Sequence, residues 1–195
     1  MDTVQLLGSA LGLGLLAGIR LYATVLIVGL IVRFHWVDLP AGLDVLGHTW
    51  VLATAGAACV IEFFADKVPW LDSVWDSVHT FIRPIGAALL GAAAFQDTDP
   101  ALKMVVALLC GGVAFSGHSS KAATRFAVNH SPEPFSNWAL SLTEDAIVPL
   151  GIWVAVSHPI VSFCLVVIFL AVFLWLSRTI WRFFRNRMRP AQATQ

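Results

Sequence analysis

The apolar run at 159–180 carries no charged side chain before Arg178. A helix needs about 20 residues to cross the hydrocarbon core of a bilayer, so this run alone is long enough to span. Further apolar runs fall at 4–32, 48–65, 84–96, 101–117 and 138–157. Of the 195 residues, 58% are hydrophobic and only 12% charged, with a mean hydropathy of +0.79. A soluble domain needs roughly a quarter of its residues charged to cover its surface, and half that number leaves an exterior that must face lipid. The expected fold is an all-α integral membrane protein with about six transmembrane helices, some short or broken. The first run is long enough to tilt, or to break near Gly14 to Gly18. The run at 84–96 is too short to span comfortably. It reads as a broken or partly immersed helix paired with the next across Gln96-Asp97-Thr98-Asp99-Pro100.

Charge placement gives an orientation. Arg178, Arg182, Arg185, Arg187 and Arg189 cluster near the C-terminus with no nearby acid, as in a cytoplasmic flank rather than a nucleic-acid site. With six spans and this end inside, Lys67, Arg83, Lys121 and Arg125 join them, while only Arg33 and Lys103 fall outside. That nine-to-two bias predicts a multi-pass protein of the inner (cytoplasmic) membrane with both termini cytoplasmic. The division expected is one transmembrane domain over 1–180 and a basic tail over 181–195. No basic residue precedes the first apolar run, so a cleaved signal peptide is not expected. Cys59, Cys110 and Cys164 are widely spaced within apolar runs and read as packing residues. The Asn129-His130-Ser131 sequon falls in a loop expected to be cytoplasmic.

Gly12-Leu-Gly-Leu-Leu-Ala-Gly18 resembles Gly111-Gly-Val-Ala-Phe-Ser-Gly117, and each precedes an acid-then-proline segment, at 62–69 and 144–149. Three spans in each half would make any duplication a 3+3 inverted repeat, which in transporters places the site at the repeat interface.

The residues that most need explaining are the ionisable ones. Arg20 follows Gly18-Ile19 deep in the first run. A guanidinium there costs roughly 2.5–3.5 kcal/mol on insertion scales, so it must face protein or water and pair with a carboxylate. Glu62 and Asp66 are four apart, on one helix face, where two carboxylates repel unless a proton or a cation such as Lys67 intervenes. Pro69 should end that helix. Asp72, Asp76 and Arg83 share one side of a following stretch, with His79 beside them and Trp70, Trp75 and Phe81 among the apolar residues. That pattern suits an amphipathic helix at the cytoplasmic interface with a solvated acidic face. Its alternative is a divalent-cation site on Asp72 and Asp76, for which oxygen ligands favour magnesium or calcium. Glu144 and Asp145 lie about two turns into the fifth run, where adjacent positions point about 100° apart, and Thr143 and Pro149 hint at local irregularity. Lys121 and Arg125, after Gly117-His-Ser-Ser, read either as a cytoplasmic cap or as a cradle for phosphate. No nucleophile, P-loop or zinc-protease motif occurs, and nothing points to a cofactor.

These residues carry a resemblance. Ala17-Gly18-Ile19-Arg20, the Glu-x-x-x-Asp-Lys-x-Pro segment beginning at Glu62 with its Trp-x-Asp-x-x-x-Asp extension to Asp76, and the Glu144-Asp145 pair resemble the bacterial membrane proteins grouped as domain of unknown function family 4126. The resemblance covers most of the chain up to the basic tail. It implies a membrane protein, supplies no activity, and favours Arg20, Glu62, Asp66, Lys67, Asp72, Asp76, Glu144 and Asp145 as one substrate or ion site.

Buried charges of both signs and glycine-broken helices lead to the expectation of a small transporter or channel-like permease, not an enzyme, with the lipid bilayer as its environment and no nucleic acid. An ion, proton or anionic lipid is the expected ligand. The alternatives are a structural or accessory membrane protein, or a metal-dependent enzyme or carrier acting on phosphorylated lipid. Gly8-x-x-x-Gly12 and Gly14-x-x-x-Gly18 would let helices pack closely, within one chain or between copies in a homo-oligomer.

Overall fold

A computed structural model of the chain describes residues 2–129 and 135–187. Among these residues there are seven α-helices, one short 3-10 helix and no strand. The α-helices are α1 (Thr3–Ile19), α2 (Leu21–Arg33), α3 (Thr49–Ala65), α4 (Pro69–Ala94), α5 (Pro100–Asn129), α6 (Phe135–Ser157) and α7 (Pro159–Arg187), with the 3-10 helix at Ala41–Gly47. Local chemistry sets several starts. Asp2 and Gln5 form a capping box on α1. Asp99 accepts from the amides of Ala101 and Leu102 ahead of α5, and prolines open α4, α5 and α7.

The first run does not tilt; it breaks at Arg20. This residue leaves the helix with φ −144° and ψ 90°, closing α1 and preceding α2. Neighbours show which way the chain then goes. Gly14 lies against Cys110 and Gly18 against Ala114, so α1 runs alongside α5 in the same direction. Gly91 lies against Cys110 and Gly111 against Pro84, so α4 opposes α5. Leu21 packs on Gly86, Gly29 on Leu46, and Gly42 of the 3-10 helix on Ala93 near the far end of α4. Thus α2 follows α4 and opposes α1, making a helical hairpin whose tip is Arg20. Its arms of 17 and 13 residues are both shorter than a membrane span.

Three helices, α5, α6 and α7, are long and apolar enough to cross a membrane, and a fourth span arises if the 3-10 helix and α3, bent by 66°, count as one. With the shorter apolar helices α1 and α2 beside them, these three or four do not confirm the expected count of about six spans, some short or broken. Gly8 lies against Pro159 and Gly12 against Ser162, so α1 also runs parallel to α7. The start of α1 and the basic end of α7 therefore leave from opposite ends of the bundle. A hairpin thus stands where one span was expected. The two glycine segments sit on α1 and α5, which are parallel, whereas an inverted repeat would set them antiparallel. Both Gly-x-x-x-Gly motifs are used within the chain, against α7 and α5.

Helix α4 departs furthest from expectation. It is one 26-residue helix running through Pro84, not an interfacial helix followed by a short span. Asp72, Asp76, His79 and Arg83 are buried, while Trp70, Val74, Val78, Phe81, Ile85 and Leu89 are exposed. The acidic face is not solvated; it is the inner face. Likewise α6 passes unbroken through Pro149, and α5 continues past Lys121 and Arg125 with both side chains buried. Polar residues inside and apolar residues outside reverse the pattern of a soluble helix and suit a lipid-facing exterior. Helix α7 extends beyond residue 180, and residues 188–195, with Arg189, lie outside the described residues, as does most of the Asn129 sequon.

A buried charge network as the candidate functional site

Six carboxylates and five cations converge beneath the hairpin tip, in two groups one helical turn apart on α3. The larger group centres on Asp66, which follows the last residue of α3 and is fully buried. Its Oδ2 lies 2.7 Å from Arg20 Nη2, 3.1 Å from Lys121 Nζ and 3.5 Å from Arg125 Nη2. Glu144 on α6 receives Arg125 Nη2 at 2.8 Å and Lys121 Nζ at 3.3 Å. Asp145 takes Arg20 at 3.1 Å and Lys67 at 3.6 Å. Asp72 Oδ1 stands 3.9 Å from Arg125 Nε. Burial alone would push the Asp66 carboxyl up, but Lys121, Arg20 and Arg125 outweigh it and hold it below the ordinary carboxylate range.

The smaller group centres on Arg83. Its Nη2 donates to Glu62 Oε1 at 2.8 Å and its Nη1 lies 3.2 Å from Asp76 Oδ1. Nη1 also donates to His118 Nδ1 at 2.8 Å. The accepting Nδ1 leaves His118 neutral with its proton on Nε2, which lies 3.0 Å from Thr80 Oγ1; that hydroxyl donates to the Asp76 carbonyl. His79 donates from Nδ1 to the Trp75 carbonyl at 2.7 Å, and its Nε2 shares a hydrogen bond with the Tyr22 hydroxyl at 3.1 Å.

The break at Arg20 also exposes carbonyls, and cations occupy them. Arg83 donates to Gly18 O and Lys121 to Ile19 O. Arg125 Nη1 donates at 2.8 Å to Asp66 O just past the end of α3. Positive charge at helix C-termini is the favourable sense of the helix dipole. Arg20 Nη2 and Lys67 Nζ both donate to Ser141 Oγ, and Asn137 links Arg125 to the Asp66 carbonyl.

All eight residues singled out from the sequence take part, but not with the expected partners. Glu62 and Asp66 do not share Lys67; each has cations from other helices. Lys67 turns to Asp145 and stacks over the Phe63 ring at 3.2 Å. Asp72 and Asp76 face Arg125 and Arg83, and among the described residues no three His, Cys, Asp or Glu side chains come together as metal ligands. Lys121 and Arg125 are engaged by Asp66 and Glu144, which leaves no open cradle for phosphate. Arg83, His118, Asn137 and Ser141 were missed as members. The signal for His118 was spacing: His118, Lys121 and Arg125 fall three and four apart, on one face of α5.

The family model for a domain of unknown function (DUF4126) matches residues 7–179 of this chain. The chain belongs to that family. The matched segment includes the hairpin, every residue of the network and most of α7. No curated protein and no solved structure matches the chain.

Proposed function

We propose that this member of the domain 4126 family is a small ion- or proton-coupled transporter or permease of the inner membrane, with the buried charge network as its coupling site. One observation carries the reading: paired charges of both signs gather where the hairpin tip meets α3, α4, α5 and α6, inside a bundle whose exterior is apolar. Buried ion pairs are a poor way to stabilise a fold. Apolar replacements of similar volume are often neutral or better by about 1–4 kcal/mol. Ionisable residues at membrane depth read by default as an ion or proton path. Short helices broken at the site, with carbonyls turned toward charge, belong to the same architecture.

The test is flux. Purified protein in liposomes should dissipate an imposed pH or sodium gradient, and Glu62→Gln and Glu144→Gln should each reduce that flux to background while eluting as the wild type does. Wild-type flux in both variants would overturn the reading. A structural role is the second reading, favoured by the fact that every cation of the network already has a carboxylate within 4.0 Å. It predicts no flux from the wild type and a stability defect alone in the variants.

Charge placement along the bundle supports an orientation. Lys67, Lys121, Arg125 and the arginines of α7 lie toward one end of the bundle, and Asp2, Asp38, Asp44, Asp97 and Asp99 toward the other; the first is assigned to the cytoplasm. Single cysteines at Asp2 and Phe184, in a background freed of native thiols, should then react with a membrane-impermeant maleimide from opposite faces of sealed vesicles. Labelling from the same face would reject the hairpin topology.

A further inference from the structure

A charge count singles out one place in the network. The Asp66 group holds four carboxylates, Asp66, Asp72, Glu144 and Asp145, against four cations, Arg20, Lys67, Lys121 and Arg125. It is balanced. The Arg83 group holds two carboxylates, Glu62 and Asp76, against one arginine. His118 does not make up the difference, because it accepts from Arg83 and is neutral. His79 turns away from these carboxylates, with its ring nitrogens on the Trp75 carbonyl and the Tyr22 hydroxyl. Among the described carboxylates, lysines and arginines of the network, one negative charge is left over in a buried setting, where an uncompensated charge is costly.

The carboxylate oxygens single out Asp76. Among the described residues Glu62 Oε2, Asp66 Oδ1 and Asp145 Oδ2 accept no hydrogen bond, and neither oxygen of Asp76 does. Glu62 is sealed, at 0% exposure, while Asp76, at 5% exposure, lines a cleft. That cleft runs between α4 and α5, measures about 200 Å³ and is lined by Asp76 with Ser77, Thr80, Ala122, Arg125 and their neighbours. At roughly 30 Å³ per water it has room for a small cation with part of its hydration shell.

We propose that this cleft admits and binds one monovalent cation, an alkali-metal ion or a proton, at the free oxygen of Asp76. The groups around it are Arg83, Asp72 and His79 from α4, His118 and Arg125 from α5, and Glu62 from α3. Protein supplies Asp76 and water completes the shell, so the site needs no cluster of three acidic or imidazole ligands. The cation restores neutrality to the Arg83 group. This names the coupling ion of the proposed transport site and rests on that reading only for what the bound ion does next.

The experiment is thermal unfolding of the full chain in detergent, with sodium, potassium or lithium titrated against choline at constant ionic strength, and separately across pH. Wild type should show saturable stabilisation by one alkali ion, or, if the cation is a proton, no alkali effect and a rise in stability on acidification. Asp76→Asn removes the excess charge and should abolish whichever response is found. Ala122→Leu fills the cleft and leaves the network's ionisable groups in place; it should weaken the alkali response about tenfold or more in half-saturating concentration, or, if the cation is a proton, shift the pH at which the response is half complete. It also serves if Asp76→Asn fails to fold. A wild type indifferent to both series, or responses unchanged in the variants, overturns the proposal. Cation-dependent stability without any flux in liposomes leaves the site standing and removes the transport reading instead.

Discussion

Replacing Asp66 by Asn is expected to cost about 3–5 kcal/mol of stability, the range for breaking a buried ion pair from one side. The reason is its position. One carboxylate, fully buried, answers three cations at 2.7, 3.1 and 3.5 Å. An amide of the same shape keeps the volume and removes the charge, so Arg20, Lys121 and Arg125 are left with Glu144, Asp145 and the more distant Asp72. The backbone carbonyl of Asp66, which receives Arg125 and Asn137, is unaffected, so the loss reports charge rather than helix ending. Chemical unfolding in mild detergent measures it. The pH dependence has a definite sign. Because the folded Asp66 carboxyl titrates lower than its unfolded counterpart, its contribution is complete above the unfolded value of about 4. It is lost as pH falls through the lower folded value. The gap between wild type and variant should therefore be full at neutral pH and close only under strong acid. A gap below about 1 kcal/mol at pH 7 would place Asp66 with ordinary surface pairs.

Much of this site was legible because a charge inside an apolar run has few explanations. Arg20, Glu62, Asp66, Glu144 and Asp145 stood out on cost alone. Their partners did not, since pairing depends on which helices adjoin, and that is decided by glycine contacts far apart in sequence, such as Gly14 against Cys110. The face of α4 was misread for a related reason. A stretch with Asp72, Asp76, His79 and Arg83 on one side is amphipathic in either orientation, and periodicity does not say which side is inward. Only the neighbouring helices decide it: Glu62 of α3 and His118 of α5 give Arg83 its partners inside. The path of the chain departs from expectation at a single residue. Hydropathy saw one run at 4–32 and counted one crossing, yet a backbone break at Arg20 turns that run into two short arms.

That turn depends on how closely α1 approaches α5, and Gly18→Leu is expected to destroy it. Even the first carbon of a side chain at Gly18 would meet the Ala114 Cα at 2.7 Å and its carbonyl carbon at 2.8 Å, with the carbonyl oxygen closer still. These are backbone atoms of a packed helix and cannot rotate away. Ordinary overpacking costs about 1–3 kcal/mol, and a leucine that must separate two helices lies at or beyond the top of that range. The damage should reach the charges as well. Gly18 and Ile19 offer their carbonyls to Arg83 and Lys121, so pushing α1 off α5 withdraws the hairpin tip from both groups of the network. Gly112→Leu is the matched control, because a Cβ there meets nothing within 4 Å, and replacing a helical glycine gains up to about 1 kcal/mol in propensity. Yield of monodisperse protein and its unfolding midpoint should fall sharply for Gly18→Leu and hold for Gly112→Leu. Equal behaviour of the two would mean that α1 and α5 do not meet at Gly18, and the hairpin would lose its anchor.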